Sequence, residues 1–454
     1  MNLTLRLLVL TFIALALLNS VACTDQPINS NSNTVSGTPS SMASPTKTVA
    51  AAPARITLPL LDALLTDERF VAELKSNLKI SDQQIDSLKQ VSQAEIVRLR
   101  QANAEDTDGD TGDPQARAAE QLGTVLGDEK ARQLASLAND FWAKGSPEER
   151  SDGAAKGPEM LPGPNAVPTD TRVVVNIPAF RMDLFQNGSL IKSYKVGIGY
   201  PQFPLPQGLR KAQTIIINPT WTPPDSPWVA SMKDVTAGET VEAGSKLNPL
   251  GPIKIPIGLP SLIHGGKSPA KIGKFASHGC VGLTNAQVRD FAMLLARASG
   301  TEVSPQTIDS YLQEKTRTRT VKLNAAVPVE LRYETIVLED GKLHIYKDVY
   351  AQNTNAEENL RNILAAHGVR FEDLSEEQRR QAFDALNAMS ANPQKTASPS
   401  PEPQTDKKGS KTAKKKAPQN EIVIELGMLA QKGYPAPVQL DNGTGKPPTR
   451  IAAR

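Results

Sequence analysis

Cysteine is almost absent from this chain: two residues in 454, at positions 23 and 280, beside only 4 histidines and 4% aromatic residues. A disulfide-stapled scaffold is thereby excluded, because the two thiols stand at opposite sides of a long polar stretch. Charge of one sign is lacking too. With 51 Lys and Arg against 48 Asp and Glu, the net charge is +3, which gives no basic field for nucleic acid. What is plentiful is proline, 35 residues, so long irregular segments are expected among the ordered ones. A chain of 454 residues outgrows one hydrophobic core, so two or more folded units are expected.

The one long apolar run lies at the start. Residues 1–22, "MNLTLRLLVLTFIALALLNSVA", carry Arg6, an apolar stretch over 7–18 and then small residues, the pattern of a secretory signal and too short for an ordinary spanning helix. Cys23 follows Ser20-Val21-Ala22 directly and resembles the acceptor of a bacterial lipoprotein signal, where a diacylglycerol joins the thiol. Asn19 and Ser20 depart from that pattern, which favours Leu three residues before the Cys; plain cleavage after Ala22 is the alternative. Either way the chain is expected to be exported to the periplasm, and on the first route lipidated Cys23 is its membrane contact. Cys280 is then a free thiol in an oxidising compartment, and such a residue asks for chemistry.

Composition divides the remainder. Residues 23–55 are Ser/Thr/Asn/Pro/Ala-rich and read as a disordered tether. Residues 56–150 show helical spacing at Leu60, Leu61, Leu64 and Leu65, then at Ile85, Leu88 and Val91, with a capping box from Ser81 to Gln84; a small helical domain is expected. "DTDGDTGD" at 106–113 imitates a calcium loop, but Thr111 and Arg117 occupy the positions that need Gly and Glu, so a solvated acidic loop is expected. From Thr171 the period turns to strands, with a hairpin at Asn187-Gly188 and another strand in "TIIINPTW". A helix capped by Thr284 and Gln287 is expected to present Val288, Phe291 and Leu295 on one side. This unit is placed at 171–304. An extension at 305–389 begins with a helix at Ser304-Pro305, continues with strands around Gly341 and ends in two amphipathic helices, 355–367 and 375–389. Residues 390–420 are a Lys/Pro/Ser-rich disordered linker, and 421–454 carry no assignment.

Half of each scarce residue type is gathered in "LIHGGKSPAKIGKFASHGCVGL", 262–283. An imidazole can both take a thiol proton and favour the thiolate, so His264, sixteen residues before Cys280, fits a base on a neighbouring strand. His278 shares the face of Cys280 in an extended chain, Gly279 lets backbone amides approach a carbonyl, and Ser277 can hydrogen-bond a ring. Two other readings stand beside catalysis. Cys280 could be a small buried hydrophobe with the histidines satisfying loop carbonyls, or His264, His278 and Cys280 could ligate zinc, although His-x-Cys is a weak metal pattern. A papain-like peptidase is disfavoured because its Cys precedes its His.

"LIHGG" followed by "SHGCVGLTNAQV" resembles the signature of the L,D-transpeptidases, the YkuD-type catalytic domain. "VNIPAFRMDLF", "YKVGIG", "NPTWTPP" and "NPLGP" are similar to family segments in the same order, and "VPVELRYETIVLEDGKLHIYKDVY" is similar to a trailing segment of larger members. The resemblance implies a mainly β, sandwich-like catalytic domain; with the N-terminal helical domain and C-terminal helices read from the spacing, an α+β multidomain chain is expected. It implies Cys280 as nucleophile, His264 as general base, His278 and Ser277 in support, and the Gly279 and Cys280 amides as oxyanion hole. The partner implied is a peptidoglycan stem peptide, with D-alanine released and a 3→3 crosslink or another amine adduct formed; no cofactor and no metal are called for. An L,D-carboxypeptidase, a non-catalytic wall-binding lipoprotein and a zinc hydrolase are the alternatives. Gly282 stands where many members have Arg or Asn, and Leu205-Pro206-Gln207-Gly208 replaces the usual Thr-Pro-x-Gly.

Overall fold

Helical spacing over 56–144 becomes five helices in the computed structural model: α1 (Leu58–Leu65), α2 (Glu68–Leu78), α3 (Asp82–Gln101), α4 (Gly112–Leu126) and α5 (Asp128–Lys144). The structure describes residues 56–101, 112–144, 159–224, 227–230, 232–258, 261–391, 420–427 and 433–444. The signal segment, Cys23, the tether, most of the acidic loop and most of the Lys-rich linker lie outside the described residues. The chain divides into a unit over Met1–Ala50 and one over Ala51–Arg454, and everything below lies in the second.

Local chemistry sets the helix starts. Thr57 caps α1 with Pro59 in its first turn, Asp67 caps α2, and the Ser81–Gln84 box is made by reciprocal bonds of 3.2 and 3.1 Å. The apolar stripes then meet: Leu61, Phe70, Leu74, Leu88 and Leu134 are buried together. Each such side chain contributes about 1.5–3 kcal/mol by leaving water.

The rest is built on strands. In chain order these are β1 (Arg172–Asn176), β2 (Arg181–Gln186), β3 (Ser189–Lys195), β4 (Ile198–Gly199) and β5 (Gly208–Ile217), the short α6 (Pro227–Ala230), then β6 (Ile253–Pro256), β7 (Leu262–His264), β8 (Phe275–Ser277) and β9 (Val281–Gly282). Helices α7 (Asn285–Ala298) and α8 (Pro305–Gln313) follow, then β10 (Arg319–Arg332), β11 (Ile336–Glu339), β12 (Lys342–Tyr346), α9 (Glu357–Ala366), α10 (Glu376–Met389) and β13 (Glu421–Glu425). Asn187 and Gly188 turn the β2–β3 hairpin with φ of 49° and 79°, the two positive values such a turn needs.

Eight strands form one sheet in the order β3-β2-β1-β10-β5-β6-β7-β9. Pairs β1/β10 and β7/β9 are parallel, and the remainder antiparallel. Val288, Phe291 and Leu295 of α7 are fully buried in the core of this sheet with Val173, Ile215 and Ile253. The fold is α+β, with a mainly β sheet carrying the helices.

Two placements differ from the expectations. The boundary set at residue 304 cuts the sheet, for β10 lies between β1 and β5 at its middle. Its sequence position, after a helix, hides a pairing that only the long-range register with Val173 to Asn176 reveals. The unassigned tail is also structured: β13 pairs with β12, and Val438 and Asp441 bond the backbone of Ser193 and Lys195 along the edge of β3. Covering an edge strand in this way removes a template for stray pairing. The "TIIINPTW" strand is β5, which starts earlier, at Gly208, and stops at Ile217, because Asn218 takes φ 47°.

Candidate active site

Parallel pairing of β7 with β9 sets Ile263 opposite Val281 and His264 opposite Gly282. Cys280, one residue before β9, is thus diagonal to His264 across one strand spacing of about 4.8 Å. Alternate residues of a strand share a face, so ring and thiol project to the same side. They line one cavity of about 490 Å³ together with Leu250, Leu262, Trp221 and Trp228. His264 is 3% exposed and Cys280 half-buried.

The His264 ring is oriented by the main chain. Its Nδ1 lies 2.7 Å from the carbonyl oxygen of Gly265. A carbonyl only accepts, so Nδ1 carries the proton and the lone pair is left on Nε2. Burial, with the charge of Lys267 adding to it, pushes the imidazole down to about 3 against the pull of the Gly265 and Leu250 carbonyls. Burial pushes the Cys280 thiol up, against a backbone hydrogen bond from Leu262 and the Lys267 charge. The resting pair is therefore a neutral thiol beside a neutral imidazole.

A stability consequence follows from the imidazole. Between its ordinary value of 6.5 and about 3, the unfolded chain binds a proton that the folded one refuses, so stability falls as pH drops through that window. We expect His264→Gln to flatten this slope in urea denaturation across the same pH range. An unchanged slope would remove His264 as its source.

The remaining residues of the motif divide their work. The Ser277 hydroxyl accepts from the Cys280 amide at 3.1 Å and donates to the Cys280 carbonyl at 2.6 Å. It clamps the backbone under the thiol rather than holding a ring, and it occupies the Cys280 amide expected to serve an oxyanion. Gly279 takes φ 95°, a conformation closed to most side chains, and lines the cavity. His278 stacks on Trp228 at 4.3 Å and 6° and meets Phe203 edge-on at 4.6 Å. Its ring lines the same cavity but lies in an aromatic slot. Among the described residues, no three His, Cys, Asp or Glu side chains gather so as to hold a metal ion.

The sequence reading missed part of the cavity wall. Pro59, Leu60, Asp62, Ala63 and Thr66, on or just after α1, face the strand residues across it, and Lys254 and Lys267 add positive charge. The Thr57 hydroxyl donates to the Gln202 carbonyl at 2.8 Å and ties α1 to the loop that carries Phe203. Two of the chain's three tryptophans, Trp221 and Trp228, stack 5.9 Å apart at the cavity. Their scarcity was a signal available in the sequence; nothing there joined α1 to residues two hundred positions later.

Fold and site together define a class: a mixed α+β protein with a buried imidazole at the end of one strand and a cysteine just before the strand parallel to it, both lining one cavity. Residues 170–306 match the family described as YkuD, the L,D-transpeptidase catalytic domain. Among solved structures, the catalytic domain of an E. faecium L,D-transpeptidase aligns at 15% identity and TM-score 0.24, over 37% of this chain and 100% of that one. An L,D-transpeptidase from Mycobacterium smegmatis aligns at 14% and 0.22, over 36% of this chain and 58% of that one. L,D-transpeptidase 3 from Mycobacterium tuberculosis, in complex with a faropenem-derived adduct, aligns at 13% and 0.22, over 36% and 60%. The chain thus spans less than two thirds of the length of the two mycobacterial proteins. Comparison with curated proteins finds no match. Among the described residues, no helix is long and apolar enough to cross a membrane.

Proposed function

We propose that this protein is a peptidoglycan L,D-transpeptidase that works by cysteine acyl transfer. The observation that carries the reading is the β7/β9 register, which sets His264 and Cys280 on one face inside one cavity. As Cys280 Sγ attacks the carbonyl carbon of the third stem residue, His264 Nε2 takes the thiol proton. Starting from a neutral pair, the transfer is concerted with attack and no buried charge waits in the resting site. The Gly279 amide faces the developing oxyanion alone, since that of Cys280 is engaged by Ser277. Collapse breaks the C–N bond, His264 returns its proton to the leaving nitrogen, and D-alanine departs. A thioester is left on Cys280.

An amine acceptor then attacks the thioester, losing its proton through His264, and the thiol is restored. The side chain of a second stem's diaminopimelate gives a 3→3 crosslink, an amine of another protein gives a wall attachment, and water gives a carboxypeptidase. Ser277 supports the reaction by fixing the Cys280 backbone, and His278 by holding the Trp228 loop against the motif. Export to the periplasm, with a lipid on Cys23, fits such a substrate.

A carbapenem tests the assignment. Intact-mass measurement on folded, reduced protein is expected to show one covalent adduct, mapped by peptide mass to Cys280. A folded sample that stays unmodified, or is modified elsewhere, overturns it.

A further inference from the structure

Helix α1, "LPLLDALL", is apolar at every position but one. Leu61, Leu64 and Leu65 turn into the core of the helical domain. Pro59, Asp62, Ala63 and Thr66, three or four residues apart, share the other face and line the cavity of Cys280 and His264. Asp62 is 7% exposed there. Withdrawing a carboxylate from water is costly, and a cation is what such a group attracts most strongly. Among the described residues lining that cavity it is the one carboxylate, whereas the cations, Lys254 on β6 and Lys267 after β7, come from the sheet. A second cavity, of about 430 Å³, adjoins the first: Asp62 and Thr66 line both, and Glu68 of α2 and Lys89 of α3 continue its wall.

We propose that Asp62 is the acceptor subsite of this protein, a carboxylate that receives the primary ammonium of the incoming amine beside Cys280, with the rest of the acceptor lying over α1 in the second cavity. The inference deepens the transpeptidase reading, rests on it for the thioester, and favours a cationic amine over water as acceptor. It gives the helical domain a part in the reaction, for the segment 170–306 holds the nucleophile and the base but not this carboxylate. The Thr57 hydroxyl, bonded to the Gln202 carbonyl at 2.8 Å, keeps α1 in place for it. The ammonium releases one proton to water and becomes the nucleophile. Its second proton passes to His264 as the C–N bond forms and the C–S bond breaks, and from there to the departing sulfur.

The first measurement needs no acyl transfer. Cys280 in the full chain is modified by aminoethyl methanethiosulfonate, a primary ammonium, and by its neutral hydroxyethyl analogue; in each case the S–S bond forms and methanesulfinate leaves. Peptide mass separates Cys280 from Cys23. Thiol ionisation and packing act on both reagents alike, so the ratio of the two rate constants reads the attraction for the ammonium. We expect Asp62→Asn to lower the ratio about three- to tenfold, as loss of one partly screened charge would, and Asp62→Glu to keep it near the parental value. Asp62→Ser gives the same reading if the amide variant does not fold. A ratio unchanged in a folded neutral variant, or lowered equally by Asp62→Glu, overturns the proposal. The second measurement follows transfer from a tetrapeptide stem to cadaverine, and the yield of amide over hydrolysed stem should fall about three- to tenfold in Asp62→Asn. An unchanged yield ratio also overturns the subsite. A parent protein that releases no D-alanine while the reagent ratio responds overturns the transpeptidase reading alone.

Discussion

Cys280→Ala is expected to abolish acyl transfer and every covalent adduct at this site, and His264→Gln to slow acylation by about 10²–10⁴-fold. The two losses should not add. A base has nothing to act on once the sulfur is gone, so the double variant should be no worse than Cys280→Ala alone. Wall fragments from cells carrying each variant, read by mass spectrometry, measure the first effect; persistence of 3→3 products with Cys280→Ala would mean that the thiol holds stems without reacting. The pH profile tells base from scaffold. Because burial holds His264 neutral down to about 3, the acid limb of acylation by free enzyme should lie near that value rather than near the ordinary 6.5. Above that limb the rate should stay level through neutrality, because the raised thiol and the lowered imidazole are both already in the neutral forms that react. An acid limb near 6.5 would mean an imidazole exposed to water during catalysis, and with it a site that opens.

Much of this site could be read from the order of residues. Thr284 and Gln287 form the expected capping box, with bonds of 3.0 and 3.2 Å, so α7 begins where the motif ends. Ser304-Pro305 and Ser375-Gln378 start α8 and α10 as their side chains dictate. These are contacts within four residues, which sequence displays directly. What stayed hidden depends on partners far away. The middle strand β10 reads as an extension until its register with β1 is known, and the tail at 438–441 reads as nothing until it meets the edge of β3. The electrostatics were hidden for a related reason. The spacing shows an imidazole and a thiol suited to proton transfer, whereas the burial that pushes the imidazole down and the thiol up arises only once the chain is folded around them.

The same distinction decides where the molecule is most fragile. Arg181, on β2 and 7% exposed, donates from Nε to Asp183 at 2.9 Å, from Nη1 to Glu339 and from Nη2 to the Pro435 carbonyl at 3.0 Å. Asp183 also receives the hydroxyls of Ser193 and Tyr434, at 2.6 and 3.1 Å. One guanidinium thus joins the large sheet, the β11–β12–β13 sheet and the tail that covers β3. Arg181→Met keeps the bulk but leaves two buried carboxylates without their shared guanidinium, Glu339 keeping only the His344 ring at 4.0 Å, and we expect a loss of about 3–5 kcal/mol in urea denaturation. Burial already raises the Glu339 carboxyl against the pull of Arg181; without the cation it should rise further. The folded variant then binds a proton that the unfolded chain releases, so its deficit should shrink as pH falls toward the ordinary glutamate value of 4.5 and widen above it. Neutralising both acids as well, with Arg181→Met, Asp183→Asn and Glu339→Gln together, should recover part of the loss by removing the uncompensated charge. A single variant within about 1 kcal/mol of the parent would place Arg181 among exposed pairs of little worth. Since Arg181 is not among the residues that line the cavity of Cys280 and His264, carbapenem acylation per folded molecule should stay at the parental rate in Arg181→Met, separating damage to the scaffold from damage to the chemistry.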